Sequence, residues 1–525
     1  MRKAAPLVVA TACVLLLSNA IPILTSADPG SGGPPPYVSF PRLERLQDIP
    51  QAQRGQFVAG PEGLMPAPFV PAVAPMSGGY TQGTSGGTQT VSGTTDTTNA
   101  LDSYQGETML VAGGTRLVGG QNDIYPGNCS ATAAIGTFGD CGPSASASAD
   151  GGASWTPTKL TRTWGGHTYL IGFDPSIAYD GSSFFYAYGV ADGGTNAPNG
   201  IVVVNSADGV TWTQKTPVVL YTRKTNIFED KYWIAADRSG GTYNKSLYVG
   251  WDRNKSNNQT LLVSFSRDSG STWSAPVKVN DGTSGFERVI FAYPAVDQRN
   301  GNVYMAWHDY ARNVIFVDKS KNGGQSWGTD VAAATTHTGF GTDIGCNGGR
   351  KMSPAPQLLV GPSGELYLVY ADSVSDNGYD IFVVKSTNGG ANWSAPVRVN
   401  DDAPGTGRHQ YNAGASIDPA TGGLTISFYD RRDDPNNCLS HVYATRSGDG
   451  VTFTANEKVT GDLTGPAGTG QSNYDGNPNG PGDYAGGATV PGTVSTGHPY
   501  YVRHVDPDSG GSGGGFEIYS SIVTP

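Results

Sequence analysis

The chain has few charged residues and, after its first 27 residues, no apolar run long enough to cross a membrane. Only 15% of its 525 residues are Asp, Glu, Lys or Arg, and a spanning helix needs about 18 consecutive apolar residues. The 33 Lys and Arg residues are outnumbered by 44 Asp and Glu residues, so the formal net charge is −11. Phosphate backbones repel an acidic chain. The sequence therefore predicts no membrane span and no nucleic-acid partner.

Glycine and proline are abundant, with 75 and 35 copies, which favours frequent turns and short strands over long amphipathic helices. The N-terminus differs from the rest. Arg2 and Lys3 precede an apolar stretch from Val8 to Leu17, and small residues precede Asp28. This pattern predicts a secretory signal peptide over residues 1–27, cleavage near Asp28 and localisation outside the cell.

Four cysteines lie beyond the predicted signal peptide: Cys129, Cys141, Cys346 and Cys438. An even number of cysteines in an exported chain favours disulfides. Pairing Cys129 with Cys141 and Cys346 with Cys438 is the simplest of the three connectivities. Metal binding by these cysteines is the weaker interpretation, because neither a CxxC motif nor a nearby histidine accompanies them.

One short pattern occurs six times along the chain. It begins with a serine, continues through Asp or Asn and Gly, and ends in Trp or Phe; the six serines are Ser148, Ser206, Ser266, Ser320, Ser386 and Ser447. Their spacings of 58, 60, 54, 66 and 61 residues indicate an array of similar units. Each copy joins two apolar strands. Its Asp or Asn can accept backbone N–H groups and its Gly can take positive φ, so the pattern predicts a hairpin turn.

The pattern S-x-D-x-G-x-T-W resembles the Asp-box, or BNR repeat, of the sialidase superfamily. The resemblance covers residues 97–525 and implies an all-β propeller of four-stranded antiparallel blades. Segments 230–237, 429–435 and 482–486 also look like those of bacterial sialidase-like secreted proteins. In such a fold the repeated turns are structural, and their carboxylates are not catalysts.

Seven strand pairs can be counted as blade beginnings, so we expect seven blades, with six as the alternative. The last unit ends after its third strand. We therefore expect a strand from the N-terminal segment, residues 28–96, to close the ring, as propellers do to remove an open edge. Gln56 to Ala59 is a candidate, and part of residues 60–99 is expected to be loop or linker because it is rich in Pro, Gly, Ser and Thr.

Charged and aromatic residues concentrate in the loops expected on the face opposite the repeated turns. This convergence predicts a binding site. Five arginines from different blades could bind a substrate carboxylate through bidentate guanidinium contacts: Arg288, Arg350, Arg408, Arg431 and Arg503. The competing interpretation is that these groups form ion pairs between blades.

Sialidase chemistry, which the resemblance implies, requires an arginine triad, a Tyr nucleophile with a neighbouring Glu, and an Asp as acid/base. By position alone, Glu229, Asp230, Glu287 and Tyr484 are the candidates for the catalytic roles. The Phe/Tyr-Arg-Ile-Pro motif typical of sialidases is absent from this sequence.

One loop is rich in oxygen ligands and partly matches a calcium loop, through Asp475, Asn477, Asn479 and Asp483. Gly486 stands where a calcium loop has its bidentate Glu. A structural calcium ion is therefore one interpretation and an Asn/Gly turn the other. No other cofactor is expected.

Three functions remain open from the sequence. The first is a secreted, sialidase-like glycoside hydrolase that acts on an extracellular and acidic glycan. The second is a non-catalytic propeller that binds a glycan or a protein. The third is a polysaccharide lyase that uses His409 and Tyr411.

Overall fold

The computed structural model describes residues 80–85, 89–96, 104–124, 140–193, 197–255, 258–282, 287–345, 352–374, 378–460, 472–473, 483–491, 496–505 and 515–524. These residues form β-strands, turns and loops, and no helix occurs among them. A membrane-spanning helix is accordingly not found in this part of the chain.

The strands group into seven blades. Preceding the blades are β1 (Thr81–Gln82), β2 (Thr84–Ser85) and β3 (Thr90–Asp96). Blade 1 comprises β4 (Tyr104–Gly113), β5 (Arg116–Ile124), β6 (Asp140–Ser148) and β7 (Thr156–Lys159), and is followed by a hairpin of β8 (Thr163–Trp164) and β9 (His167–Thr168). Blade 2 comprises β10 (Ile171–Tyr179), β11 (Phe184–Ala191), β12 (Asn199–Ser206), β13 (Thr213–Gln214) and the extra β14 (Val219–Tyr221). Blade 3 comprises β15 (Ile227–Ala236), β16 (Leu247–Lys255), β17 (Asn258–Ser266) and β18 (Val277–Lys278).

The second half of the ring repeats this plan. Blade 4 comprises β19 (Val289–Val296), β20 (Val303–Asp309), β21 (Val314–Ser320) and β22 (Val331–Thr335). Blade 5 comprises β23 (Gln357–Val360), β24 (Leu366–Asp372), β25 (Asp380–Ser386) and β26 (Val397–Arg398). Blade 6 comprises β27 (Gln410–Ile417), β28 (Leu424–Asp430), β29 (Leu439–Ser447) and β30 (Thr452–Phe453), with β31 (Glu457–Lys458) and β32 (Ser472–Asn473) also paired to β29. Blade 7 contains β33 (Gly486–Val490), β34 (Thr496–Val505) and β35 (Gly515–Thr524).

Within each blade, consecutive strands pair antiparallel from the inside outwards, as β15, β16, β17 and β18 do in blade 3. The first strands of neighbouring blades contact one another around the ring, so they lie nearest its axis. The middle strands are buried on both faces between neighbouring blades, and β11 has no exposed position. The predicted seven-bladed, all-β propeller is confirmed.

The fourth strand of blade 7 comes from the N-terminal segment. Strand β3 pairs antiparallel with β35, from Thr90 opposite Thr524 to Asp96 opposite Tyr519. Closure by an N-terminal strand is thus confirmed, but the strand lies within the stretch expected to be loop or linker. Its Thr and Val residues have high β-propensity, which outweighs the local abundance of Gly and Ser. The candidate at Gln56 to Ala59 lies outside the described residues.

Two short strands extend this N-terminal contact to the outer edges of blades 5 and 6. Strand β1 pairs parallel with β26, and β2 pairs parallel with β30. Between them, Gly83 N donates to Arg398 O at 2.9 Å. Residues 80–85 therefore lie along the outside of blades 5 and 6, and residues 90–96 complete blade 7.

The repeated turns share one hydrogen-bond pattern. In the third copy, Ser266 Oγ donates to Asp268 Oδ1 at 2.8 Å and accepts from Gly270 N at 2.8 Å. Thr272 N donates to Asp268 Oδ1 at 2.8 Å. The equivalent bonds in the first copy, above all that from the Ser154 hydroxyl, lower the pKa of Asp150 to about 2. These carboxylates therefore stabilise turns.

A close approach of backbones makes one glycine of blade 7 necessary. A Cβ at Gly486 would lie 2.6 Å from Met109 Cα and 2.8 Å from Leu110 N in blade 1. We predict that Gly486→Ala lowers the free energy of unfolding by about 1–3 kcal/mol, because overpacking against backbone forces the two strands apart. Thermal unfolding measures this, and Gly448→Ala is the matched control, since nothing lies within 4 Å of a Cβ there. Equal melting temperatures for the two variants would contradict the prediction.

Candidate functional site

The first strands of the blades carry a recurrent bulge near the end where each strand begins. Five of the bulged residues have positive φ although none is glycine: Glu107 at 51°, Asp174 at 52°, Lys231 at 40°, Phe291 at 63° and Asn412 at 47°. Strand register shifts at each of these points. Bulges redirect side chains and are frequent at functional sites. Because the strands begin opposite the repeated turns, the bulges surround one mouth of the ring axis.

Lys231 is at the centre of a buried ionic cluster at this mouth. Its Nζ lies 3.2 Å from Glu107 Oε1, 3.2 Å from Asp174 Oδ1 and 2.8 Å from Asp483 Oδ2. These four residues, which we call the axial cluster, come from blades 1, 2 and 3 and from the residues just before blade 7. All four are at most 8% exposed.

The axial cluster holds more carboxylates than cations. Burial, and then the charge of Glu107, raise the pKa of Asp174 well above its usual value, although Lys231 opposes this. Burial lowers the pKa of Lys231, but Asp174, Asp483 and Glu107 outweigh that effect and raise it well above its usual value. Lys231 is therefore an ammonium ion at neutral pH. The charge of Glu107 disfavours ionisation of Asp174, because both carboxyl groups lie beside the same ammonium.

An aromatic wall adjoins the axial cluster. Trp233 packs against Tyr484 with ring centroids 4.8 Å apart and against Phe291 at 6.2 Å. The Tyr484 hydroxyl donates to Pro175 O at 3.1 Å, and burial followed by the charges of Asp174 and Glu107 raises its pKa well above the usual value. Tyr484, one of the predicted catalytic residues, is therefore a protonated phenol beside the carboxylates.

The buried polar atoms at this mouth include two that have no hydrogen-bond partner among the described residues. They are Trp233 Nε1, a donor, and Asp174 Oδ2, an acceptor. Buried polar groups in folded proteins are almost always satisfied by protein, water or ligand. A hydroxyl group, which both donates and accepts, would suit this combination.

Two of the other predicted catalytic carboxylates, Glu229 and Glu287, lie in networks separate from the axial cluster. Glu229 accepts from Trp251 Nε1 at 2.7 Å and from Arg253 Nε at 2.9 Å. Glu287 accepts from Lys278 Nζ at 2.8 Å and Asn280 Nδ2 at 3.0 Å. Asp230 accepts from Lys231 N at 3.0 Å and is buried beside the axial cluster.

The predicted arginines with described side chains donate to backbone carbonyls in their own surroundings. Arg431 is fully buried and donates to Ile344 O at 2.9 Å and Asn437 O at 2.7 Å. Arg408 donates to Asp434 O, and Arg288 to Glu287 O at 3.0 Å. Arg350 lies outside the described residues, and of Arg503 only the backbone, in β34, is described. A convergent arginine triad stays a prediction.

The lyase candidates are also enclosed. His409 Nδ1 accepts from Tyr379 N at 3.1 Å, and burial, with the charge of Arg431, lowers the pKa of His409 to about 4. Tyr411 is fully buried, and its hydroxyl lies 2.5 Å from Ser440 Oγ.

The cysteine and calcium predictions fall largely outside the described residues. That holds for Cys129 and Cys346, so both disulfides stay predictions, and for Asp475, Asn477 and Asn479 of the calcium loop. The fourth proposed calcium ligand, Asp483, contacts Lys231, and the calcium site stays a prediction. The described residues contain no group of three His, Cys, Asp or Glu side chains placed to hold a metal ion.

Comparison with known proteins gives only distant likenesses. Neither a protein-family model nor a curated protein matches the chain. Among solved structures it is similar to a Penicillium chrysogenum alpha-L-arabinanase, with 12% identity, 65% of this chain and 94% of that chain covered, and a TM-score of 0.42. It is also similar to the intramolecular trans-sialidase of Ruminococcus gnavus (13% identity, 82% and 96% covered, TM-score 0.39) and to a Hadza microbial sialidase (14% identity, 68% and 66% covered, TM-score 0.42).

Proposed function

We propose that the protein is a secreted glycoside hydrolase that acts on an extracellular glycan at the axial mouth of the ring. The observation that carries this proposal is the grouping of Glu107, Asp174 and Asp483 around the buried Lys231 ammonium, where the pKa of Asp174 is raised and Asp174 Oδ2 has no hydrogen-bond partner among the described residues. Glycoside hydrolysis uses one carboxylic acid that is protonated and one carboxylate that is ionised.

In this proposal Asp174 is the general acid, because its pKa is raised and its buried Oδ2 has no hydrogen-bond partner among the described residues. Asp483, whose Oδ2 lies 2.8 Å from the Lys231 ammonium, acts as base or nucleophile. If the predicted arginines also reach this mouth, we propose that the substrate is an acidic glycan and that the activity is sialidase-like.

A second candidate function is a propeller that binds a glycan without turnover. This function is favoured because the charges of the axial cluster partly neutralise one another: the Lys231 ammonium contacts three carboxylates, and all three are largely buried. Such mutual pairing is also typical of structural ion networks.

The test is an activity assay of the purified mature protein on sialosides, arabinans and acidic polysaccharides. We expect Asp174→Asn and Asp483→Asn to reduce turnover by about 100-fold or more, the usual contribution of a general acid or base. Asp268→Asn is the matched control, because other repeated turns carry Asn322 and Asn388 at this position. Circular dichroism checks that all variants are folded.

Each outcome of the assay has one meaning. Loss of turnover in both axial variants, with normal activity of Asp268→Asn, supports the hydrolase. Calorimetric binding of a glycan without turnover by the wild type would support the binding propeller. Full activity of folded axial variants would refute the proposed site.

A further inference from the structure

Two junctions between neighbouring blades are built alike. In the blade 5/6 junction, Asp401 N donates to Asn456 Oδ1 and Asn456 N donates to Asp401 Oδ2, both at 2.9 Å. In the blade 3/4 junction, Asp281 and Asp330 exchange the same two bonds, both at 3.0 Å. The sequence Val-x-Val-Asn-Asp precedes each junction, at 277–281 and 397–401. The two junctions can therefore be compared residue by residue.

The blade 3/4 and blade 5/6 junctions differ in charge at three equivalent positions. Asn456 is replaced by Asp330, and Thr445, two residues before a repeated-turn serine, is replaced by Asp318. Arg432, which contacts Asp401 Oδ1 at 2.5 Å and Asn456 Oδ1 at 3.0 Å, is replaced by Ala311. The last equivalence is structural: Arg432 N and Ala311 N each donate to the aspartate that ends the second strand of their blade.

The blade 3/4 junction thus has two extra carboxylates and lacks the guanidinium. Asp318 Oδ2 and Asp330 Oδ1 are buried and without a hydrogen-bond partner in the described part of the chain. The charged groups facing Asp330 are Asp281, Asp318 and Arg312. Arg312 already pairs with Asp309 at 3.2 Å, and the nearby Lys278 pairs with Glu287 at 2.8 Å.

We infer that the blade 3/4 junction is a pH-sensitive contact that takes up a proton in place of the missing guanidinium, and that it tightens when the surroundings acidify. The three substitutions relative to the blade 5/6 junction carry this inference. It does not rest on the proposed hydrolase activity, because the junction lies on the outer strands, away from the axial cluster.

The direction of the effect follows from the local electrostatics. Burial, with the charges of Asp281 and Asp318, raises the pKa of Asp330 to about 7, and burial raises that of Asp318 to about 6. Both start from 3.8 in the unfolded chain. The folded state therefore binds protons more tightly, so its stability falls as pH rises from about 4 through 7.

The experiment compares the full chain with Asp330→Asn between pH 5 and pH 8. At pH 8 we expect the melting temperature of the variant to be on the order of 2 °C higher than that of the wild type. Near pH 5 we expect the two melting temperatures to be equal. Hydrogen exchange reports the contact itself, because Asp281 N and Asp330 N bond across the junction. After correction for intrinsic rates, these two amides should be better protected in acid in the wild type only.

Asn456→Asp is the matched control, since it creates the same Asp pair beside Arg432. We expect it to gain no acid dependence. Equal effects of Asp330→Asn at pH 5 and pH 8, or the same acid dependence in Asn456→Asp, would overturn the inference. A third result would also overturn the inference. Millimolar Ca²⁺ at pH 8 would raise the melting temperature of the wild type as acid does, and Asp330→Asn would abolish that rise. The positive charge that balances the carboxylates would then be a metal ion and not a proton.

Discussion

Replacing Lys231 by methionine should lower the free energy of unfolding by about 3–5 kcal/mol, or prevent folding. The ammonium is 2% exposed and contacts three carboxylates that are themselves buried. Removing one partner of a buried ionic group leaves uncompensated charge in a poorly solvated place, which is among the most costly single changes in a protein. Chemical denaturation followed by tryptophan fluorescence measures the loss.

Lys224→Met is the control, because Lys224 is exposed in the loop that precedes the same strand. A second variant keeps the prediction testable if Lys231→Met fails to fold. Adding Asp174→Asn to Lys231→Met removes one of the stranded carboxylates and should restore part of the lost stability. A Lys231→Met protein as stable as Lys224→Met would show that the axial cluster is not a stabilising ion network.

Arg431→Ala should cost about 3 kcal/mol of stability. The guanidinium is fully buried and donates to the carbonyls of Ile344, Gly345 and Asn437. Hydrogen bonds from a charged donor contribute about 1.5–3 kcal/mol each, and the abandoned carbonyls would remain desolvated. The melting temperature at neutral pH is the measurement, with the exposed Arg223→Ala as the control.

This second prediction also distinguishes two roles for the same residue. If Arg431 binds substrate, as its position in the sequence suggested, the alanine variant would keep its melting temperature and raise KM. A large loss of stability, with KM unchanged in the folded fraction, would instead assign Arg431 to the connection between the blade 4/5 loop and blade 6.

The architecture could be predicted from the sequence because its signals are local. Each repeated turn needs a serine, an Asp or Asn and a glycine within five residues, as at Ser266, Asp268 and Gly270. The turn chemistry and the spacing between copies together define a blade. The closing strand was harder to place, because seven residues of Thr, Val, Ser, Gly and Asp carry no feature that distinguishes a strand from a linker until their partner β35 is known.

The axial cluster could not be predicted in the same way. Lys231 and Asp483 are far apart in the sequence, and only the folded ring brings their side chains together. Glu229 is only two residues from Lys231, but its side chain is not part of the axial cluster. It bonds Trp251 and Arg253. Aligning the strand beginnings of the blades would have placed Glu107, Asp174 and Lys231 at one equivalent position, and that is the signal that was available.

The pairing of β3 with β35 also sets the order in which the molecule can be completed. During synthesis β3 leaves the ribosome before any blade, yet its partner, residues 515–524, emerges after all the other strands of the ring. Blades can form one after another as their strands emerge, but the first segment of the ring has to wait for the last. The contact that closes the ring therefore also reports that every blade has been translated, and a chain stopped early would leave β3 as an unpaired edge open to other chains.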